Sequence, residues 1–552
     1  MNAERLLELY EQISEAPDAI ARLRRFVLDL AVRGKLVEQE STDETADILL
    51  ERIAEEKARL VKAGEIKEAK PIALGGKPDF PVPMGWQVVP LGEIIKRHLG
   101  GGTPSKNDHS YWDGDILWAS VKDVGKSKYL DDTIDRITQK GLENSSSNLV
   151  PPGNLIVVTR MGLGQLSINR VPVAINQDLR ALFLTQFVDI DFVYNFFLTH
   201  GMEGTGLTVK GIKVNELLGI PFPIPPLAEQ HRIVAKVDEL MALCDRLQEA
   251  RKTREALRDK LTAASLARLT APETTAEDFP AHAAFALEAL PALTTRPDQI
   301  KTLRQTILNL AVRGKLVEQD PADEPASALL EGIKAKTICR SKPLSTIGND
   351  ELPFDLPSGW TWTRLGDVIR LISGQHLQPA EYSQKIGGGL PYITGPSDFS
   401  ANGAIIRRIA LVRKAVARRG QLLITVKGSG VGKAMICDLD EVAISRQLMA
   451  MEPLGWSIGF LELITDRLAA KLQEEARSLI PGISRDDIRK FVVALPPLAE
   501  QHRIVAKVDA LMALCDRLEA ALTEADTTRT RLLEALLHEA LEPANQTLEA
   551  AQ

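Results

Sequence analysis

PPLAEQHRIVAKVDELMALCDRL runs from Pro225 to Leu247, and PPLAEQHRIVAKVDALMALCDRL runs from Pro496 to Leu518. These 23-residue stretches differ at one position, Glu239 against Ala510, at an offset of 271. Within the first, apolar residues fall at Ile233, Val237, Leu240, Cys244 and Leu247; the copy repeats them at Ile504, Val508, Leu511, Cys515 and Leu518. Alternating steps of four and three residues are the seam of a coiled coil. Proline suits the first turn, where its missing N–H has no intrahelical partner. The charged run QEARKTREALRDK carries the first helix to about Arg268, and TAPETT (Thr270–Thr275) ends it. Some 40 residues at 1.5 Å each predict a rod of roughly 60 Å.

Two further pairs extend the repeat. LRRFVLDLAVRGKLVEQ (Leu23–Gln39) matches LRQTILNLAVRGKLVEQ (Leu303–Gln319) at 13 of 17 positions, and PMGWQVVPLGEII from Pro83 faces PSGWTWTRLGDVI from Pro357. Each LAVRGKLVEQ copy has an internal glycine, Gly34 or Gly314, that ends or bends its helix. Three anchors in one order at near-constant spacing mark a tandem duplication. The intervals between them match in length, 139 residues from Trp86 to Pro225 and 136 from Trp360 to Pro496, but not in sequence. Scattered echoes survive: PPGNLIVVTRMGLGQL from Pro151 faces RRGQLLITVKGSGVGKA from Arg418, and INQDLRAL from Ile175 faces ISRQLMAM from Ile444. Leu155–Thr159 and Leu422–Val426 read as short β-branched strands after glycine turns. Two frames are nearly identical while two inserts have diverged. Either a recent duplication left the helices similar, or the frames do one job twice while the inserts recognise different things.

The composition is that of a globular protein: 552 residues, 44% hydrophobic and 26% charged. At roughly 100–200 residues per domain this predicts about three to five structural units. No apolar run approaches the roughly 18–20 residues that span a bilayer, and the acidic, amphipathic start MNAERLLELYEQISEAPDAI is unlike a signal peptide. Four cysteines (Cys244, Cys339, Cys437, Cys515) form neither a disulfide scaffold nor a zinc cluster, so a reducing cytoplasm is expected. No metal site is predicted.

Catalytic motifs fail on inspection. In KGSGVGK, only three residues separate Gly428 from Gly432 and Ala434 follows Lys433, so the nucleotide-binding loop pattern is missed twice. The Asn/Asp-Pro-Pro-aromatic tetrapeptide of amino-methyltransferases is absent, and no acid/acid/lysine nuclease set stands out. His231 and His502 in the EQHRI repeats read as packing or interface residues. Net charge is −7, which by itself argues against a nucleic-acid partner, but a binder needs positive charge only on one surface. Between Ala401 and Lys433 eight residues are basic (Arg407, Arg408, Arg413, Lys414, Arg418, Arg419, Lys427, Lys433) and none is acidic. This is either a phosphate-contacting surface or a solvated basic face. The first insert offers Lys122, Lys126, Lys128, Arg160, Lys210 and Lys213. Asn169, Gln177, Gln375, Arg446 and Gln447 are polar residues suited to base edges.

LGGGTPSKNDHSYWDGDILWASVKDV (Leu99–Val124) resembles the opening of a target-recognition domain of Type I restriction–modification specificity subunits, and ISGQHLQPAEYSQKIGGGLPYITGPSDF (Ile372–Phe399) resembles an alternative opening in that family. PLAEQHRIVAKVD, present twice, resembles its conserved helical regions. The resemblance implies an α+β protein: two mixed α/β target-recognition domains joined by long antiparallel coiled-coil helices, with pseudo-twofold internal symmetry. The expected boundaries are an N-terminal helical segment (1–82), a first recognition domain (83–224), a central helical region (225–350), a second recognition domain (351–495) and a C-terminal helix (496–552). It implies a non-catalytic subunit that reads a split double-stranded DNA site. Two methyltransferase (M) subunits would carry S-adenosylmethionine and adenine methylation, and two restriction (R) subunits would use ATP and Mg2+. The expected DNA-binding residues are Thr103, Ser105, Lys106, Lys122, Arg160, Lys210 and Lys213 in the first domain, and Gln375, Lys427, Lys433, Arg446 and Arg485 in the second. Gly162, Gly164, Gly430 and Gly432 would shape the loops. A stand-alone bipartite DNA-binding regulator, or a coiled-coil scaffold for two protein-binding domains, remains the alternative.

Overall fold

Leu155, Ile156, Val157 and Val158 are all fully buried, which a strand manages only when both of its faces are covered. Leu155 and Val157 point into a core with Phe192, Phe196 and Phe197, while Ile156 and Val158 meet Ala119, Val150, Val173 and Ile175. The computed structural model describes residues 15–68, 70–78, 80–201, 211–271, 278–337, 346–348, 351–385, 387–400, 403–428, 430–475 and 482–541. It divides into two compact units, Met1–Thr253 with Asp526–Gln552, and Arg254–Ala525.

In the first unit a five-stranded sheet runs in the order Ile95–Gly100, Leu179–Leu184, Asn154–Val158, Leu166–Asn169, Tyr129–Leu130. Helix Ile190–Thr199 packs on one face. On the other lies a four-stranded sheet, Asp135–Ile137, Trp112–Ala119, Val173–Ile175, Asn148–Val150. The second unit repeats this plan. Its sheet Ile369–Ser373, Leu448–Pro453, Leu422–Thr425, Ala434–Ile436 packs under helix Ile458–Glu475, where Leu422 and Ile424 meet Phe460 and Ile464. Leu423 and Ala450 face the second sheet through Ile393, Val442 and Ile444. The strands expected at 155–159 and 422–426 are therefore the central, doubly covered ones.

Each insert leaves and rejoins its frame through a two-stranded antiparallel ribbon. Gln87–Pro90 pairs with Pro221–Ile224, and Thr361–Arg364 pairs with Val492–Leu495. With entry and exit side by side, the insert is closed off, and its loops can change while the frame keeps its geometry.

The near-identical frame segments fasten that ribbon. Trp86 Nε1 donates to Glu229 Oε2 (2.9 Å), and Trp360 Nε1 donates to Glu500 Oε2 (3.0 Å). Gln230 accepts from the backbone N–H of Asp189 and donates to the carbonyl of Pro225; Gln501 does the same with Ser457 and Pro496. Arg232 forms a two-pronged pair with Asp43 (3.2 and 2.6 Å), and Arg503 forms one with Asp323 (3.2 and 2.7 Å). Burial pushes the Glu229 and Glu500 carboxyls up; the tryptophan N–H groups and nearby arginines pull against it. Gly34 and Gly314 end their helices at φ +65° and +67°, where a Cβ would strike the rings of Pro83 and Pro357. The EQHRI repeat is thus a fastening. Its histidine is not packed: His231 is 60% exposed, with Nε2 at 3.6 Å from Asp189.

The two long helices are Leu227–Thr270 and Leu498–Leu541, 44 residues each, or roughly 66 Å at 1.5 Å per residue. Each starts in one unit and ends in the other. The expected seam residues Ile233 and Val237, with Leu240 at the margin, pack into the first unit's own core against Val27, Ala31 and Trp86. Ile504, Val508 and Cys515, with Leu511 at the margin, do the same in the second. Cys244 is buried, Leu247 is half-buried and Leu518 is exposed. The stripe continues beyond Leu247 through charged residues, where Arg258 pairs with Glu255 (2.6 Å), and the copy repeats this as Arg529 with Asp526 (3.1 Å). At the far ends, Leu266 and Leu269 pack on Ala286 and Leu310, while Leu533, Leu536 and Leu537 pack on Ala16, Ala19 and Phe26.

Candidate nucleic-acid interface

Strand register decides which loops meet. In the first insert Leu179 lies opposite Val158, Arg180 opposite Gly100, and Ala119 runs parallel beside Ile175. The loops 101–107, 120–126, 159–165 and 176–178 therefore leave from one end of the paired sheets. A bridge from Arg160 to Gly211 brings 211–213 to the same end. Thr103, Ser105, Lys106, Lys122, Arg160, Gly162, Gly164 and Lys213 all belong to these loops; Lys210 lies outside the described residues.

The second insert does the same. Ser373 lies opposite Met449, Thr425 opposite Leu448, and Ile393 runs parallel beside Ile444. Loops 374–378, 394–398, 426–433 and 445–447 share one end, joined through the Lys427–Gly482 bridge by 482–485. Gln375, Lys427, Gly430, Gly432, Lys433, Arg446 and Arg485 sit there. Gly162, Gly164 and Gly432 have φ between +86° and +137°, a region closed to most side chains, while a Cβ on Gly430 would press on Pro396 (2.5 Å).

Charge at these ends is uneven. Lys106, Lys122 and Lys126 are exposed and have no ion pair among the described residues. Arg160 stands 3.7 Å from Asp178, and Lys213 stands 3.9 Å from Glu216. The Thr103 hydroxyl donates to Gln177 Oε1 (2.5 Å), and the Ser105 carbonyl accepts from Trp112 Nε1. Arg180 Nη1 donates to His98 Nδ1 (2.8 Å); burial and this arginine push His98 below its ordinary value. In the second insert Lys427, Lys433 and Arg446 are exposed and have no ion pair among the described residues, while Arg485 donates to the Ser373 hydroxyl (3.0 Å).

The basic run of residues 401–433 is largely neutralised in space. Arg413 and Arg418 flank Glu441 (2.7 and 3.5 Å), Lys414 pairs with Glu381 (2.6 Å), Arg419 with Asp440 (2.9 Å) and Arg407 with Asp398 (4.0 Å). Arg408 lies over the Tyr382 ring. Hydrogen bonding from Arg413 holds the Glu441 carboxyl below its usual range. Of the eight, Lys427 and Lys433 reach the loop end without such a partner among the described residues. Two first-insert candidates are also used internally. Lys128 pairs with Asp191 (3.0 Å), and buried Asn169 donates to the carbonyls of Pro151 and Val171 while accepting from the Asn154 N–H. Among the described residues no cluster of three or more His, Cys, Asp or Glu is arranged to hold a metal, and no helix is long and apolar enough to cross a membrane.

Two unlike loop clusters, each closed off on a copy of one fastened frame, define a tandem recognition protein of mixed α+β class. The chain belongs to the family described as the Type I restriction modification DNA specificity domain, which matches it twice, at residues 83–256 and 357–525. It is 29% identical to the Type I restriction enzyme EcoEI specificity subunit of Escherichia coli, over 95% of this chain and 94% of that one. It is likewise 29% identical to the EcoAI specificity subunit of Escherichia coli, with the same coverage. Among solved structures, the HsdS subunit from Thermoanaerobacter tengcongensis matches at 22% identity and a TM-score of 0.45, covering 84% of this chain and 98% of that one.

Proposed function

We propose that this chain is the DNA-reading subunit of a Type I restriction–modification complex, each insert contacting one half of a split, asymmetric site. The observation that carries this reading is the convergence, in both inserts, of loops from distant parts of the chain onto one sheet end. Lys106, Lys122 and Lys126 at one end, and Lys427, Lys433 and Arg446 at the other, are exposed with no ion pair among the described residues, and the two ends carry different side chains. Unpaired Lys and Arg supply phosphate contact and counterion release, and Gln and Arg offer paired hydrogen bonds to base edges. The long helices, 44 residues each, set the distance between half-sites.

Catalysis resides on partners: two M subunits with S-adenosylmethionine and two R subunits with ATP and Mg2+. Buried positions alone do not account for the frame repeat. Asp238 and Asp509, Leu243 and Leu514, and Arg246 and Arg517 are exposed in both copies and identical. Two equal exposed faces suit two copies of one partner.

The test is selection of the chain, co-purified with its M subunit, against a pool of randomised duplex DNA at several salt concentrations. Enrichment of one split motif, with affinity falling steeply as salt rises, is the expected result. Salt-insensitive binding with no preferred motif would establish a protein scaffold instead. Tight, specific binding by the chain alone, unchanged by M, would favour a stand-alone regulator.

A further inference from the structure

INQDL at Ile175–Leu179 and ISRQL at Ile444–Leu448 form the same turn in two diverged inserts. The first residue's carbonyl accepts from the loop after the edge strand, Gly102 N–H in one insert and Gln375 N–H in the other. The second residue donates its N–H to the neighbouring parallel strand, Asn176 to Ala119 and Ser445 to Ile393. Its side chain then caps the turn. Asn176 Oδ1 accepts from the Asp178 N–H (3.0 Å), and Ser445 Oγ accepts from the Gln447 N–H (3.2 Å). The fourth residue's carbonyl accepts from the end of the central strand, Asp178 from Thr159 and Gln447 from Val426. The turn closes when Leu179 donates to Asn176 and Leu448 to Ser445.

The third residue is left at the tip, held by none of these bonds. It is Gln177 in the first insert and Arg446 in the second, and both are exposed. A rigid five-residue turn, kept while the surrounding loops diverged, thus presents one changed side chain at the centre of each sheet end. Gln and Arg each make two hydrogen bonds to one purine edge, Gln matching the donor–acceptor pair of adenine and Arg the two acceptors of guanine. In the first insert the amide is also oriented: Thr103 donates to Gln177 Oε1, and Gln177 Nε2 donates to Asp178 (3.3 Å).

Building on the proposed function, we infer that Gln177 and Arg446 are equivalent specificity residues, Gln177 selecting adenine at one position of one half-site and Arg446 selecting guanine at the corresponding position of the other. The two residues exchange readings when exchanged. Glycine holds the partner strand close to each turn, since a Cβ on Gly101 or Gly374 would collide with the carbonyl of Ile175 or Ser445. The tip is therefore aimed by backbone, and a new side chain inherits the same aim.

The test expresses the full chain with its M subunit in a methylation-free bacterium and maps methylated adenines across the host genome. Wild type is compared with Gln177→Arg, Arg446→Gln, the double exchange, and Gln177→Ala and Arg446→Ala. Gln177→Arg turns one adenine requirement into guanine in one half-site only, and Arg446→Gln does the reverse in the other, each with discrimination on the order of tenfold to a hundredfold. The alanine variants leave those positions degenerate. A motif unchanged by every variant, or methylation lost evenly across both half-sites, overturns the inference, the latter marking a phosphate contact. A wild-type complex that methylates no split motif refutes the proposed function itself, an outcome visible before any variant is compared.

Discussion

Replacing Trp86 with Phe removes one N–H from a buried carboxylate and keeps most of the ring. Glu229 is buried, its Oε1 has no hydrogen-bond partner among the described residues, and Gln39 adds a smaller pull on its carboxyl than Trp86 does. Trp86 is the donor its Oε2 accepts from. Losing a hydrogen bond to a buried charged group costs about 1.5–3 kcal/mol. Since 1.36 kcal/mol is a factor of ten, local opening should become about ten- to a hundredfold more frequent. The assay is hydrogen exchange of the amides around 227–240, which reports local opening without assuming two-state unfolding of the chain.

The pH dependence has a definite sign. Burial raises the Glu229 carboxyl, and the Trp86 N–H and Arg232 lower it, so W86F raises it further. An acid with a folded pKa above its unfolded one binds more protons when folded, and stability falls as pH climbs from the unfolded value through the folded one. The W86F deficit should therefore grow with pH and shrink toward pH 4. Trp360→Phe should be milder, because Gln319 Nε2 still donates to Glu500 (3.2 Å). Adding Glu229→Gln to W86F removes the stranded charge and should recover part of the loss. Exchange that stays within threefold of wild type, or rises equally for W86F and W360F, would refute the reasoning.

Lys427→Ala and Lys433→Ala should each weaken DNA binding about equally for all sequences and lower the salt slope by about one. Arg413→Ala, whose charge already serves Glu441, should leave that slope unchanged. Gly34→Ala and Gly314→Ala place a Cβ at positive φ against a proline ring, and each should cost about 1–3 kcal/mol, read as a lower melting temperature. Arg232→Ala leaves Asp43, 9% exposed, without its two-pronged partner, and should loosen the 40–45 segment in hydrogen exchange; Arg503→Ala should do the same at Asp323.

The duplication, the long helices and the doubly covered strands were legible because each is a local pattern: near-identical words, a four–three stripe, a short β-branched run. The loop residues were legible in part for the same reason, since glycine turns and the INQDL and ISRQL echo mark strand ends. Charge was not. Glu381, Asp398, Asp440 and Glu441 reach the basic run from other strands and loops, and sequence distance hides that neutralisation. Asn169 looks like a base reader until its side chain is found bonding two segments of backbone, 150–154 and Val171. The seam residues were recognised as apolar, but no periodicity could tell that Ile233 and Ile504 would be claimed by the core of their own unit. The fastening of Trp86 to Glu229 was written in the sequence twice, as PMGW with PLAEQ and as PSGW with PLAEQ. What was missing was the 143-residue separation closed by the ribbon between them.

In the proposed function, two inserts read two halves of one DNA site for partners that act on it. That function is tested most directly by mapping methylated adenines genome-wide in the native host with and without this chain. The expected result is a single split, asymmetric motif that is methylated when the chain is present and disappears when it is deleted. A methylome unchanged by deletion would contradict it.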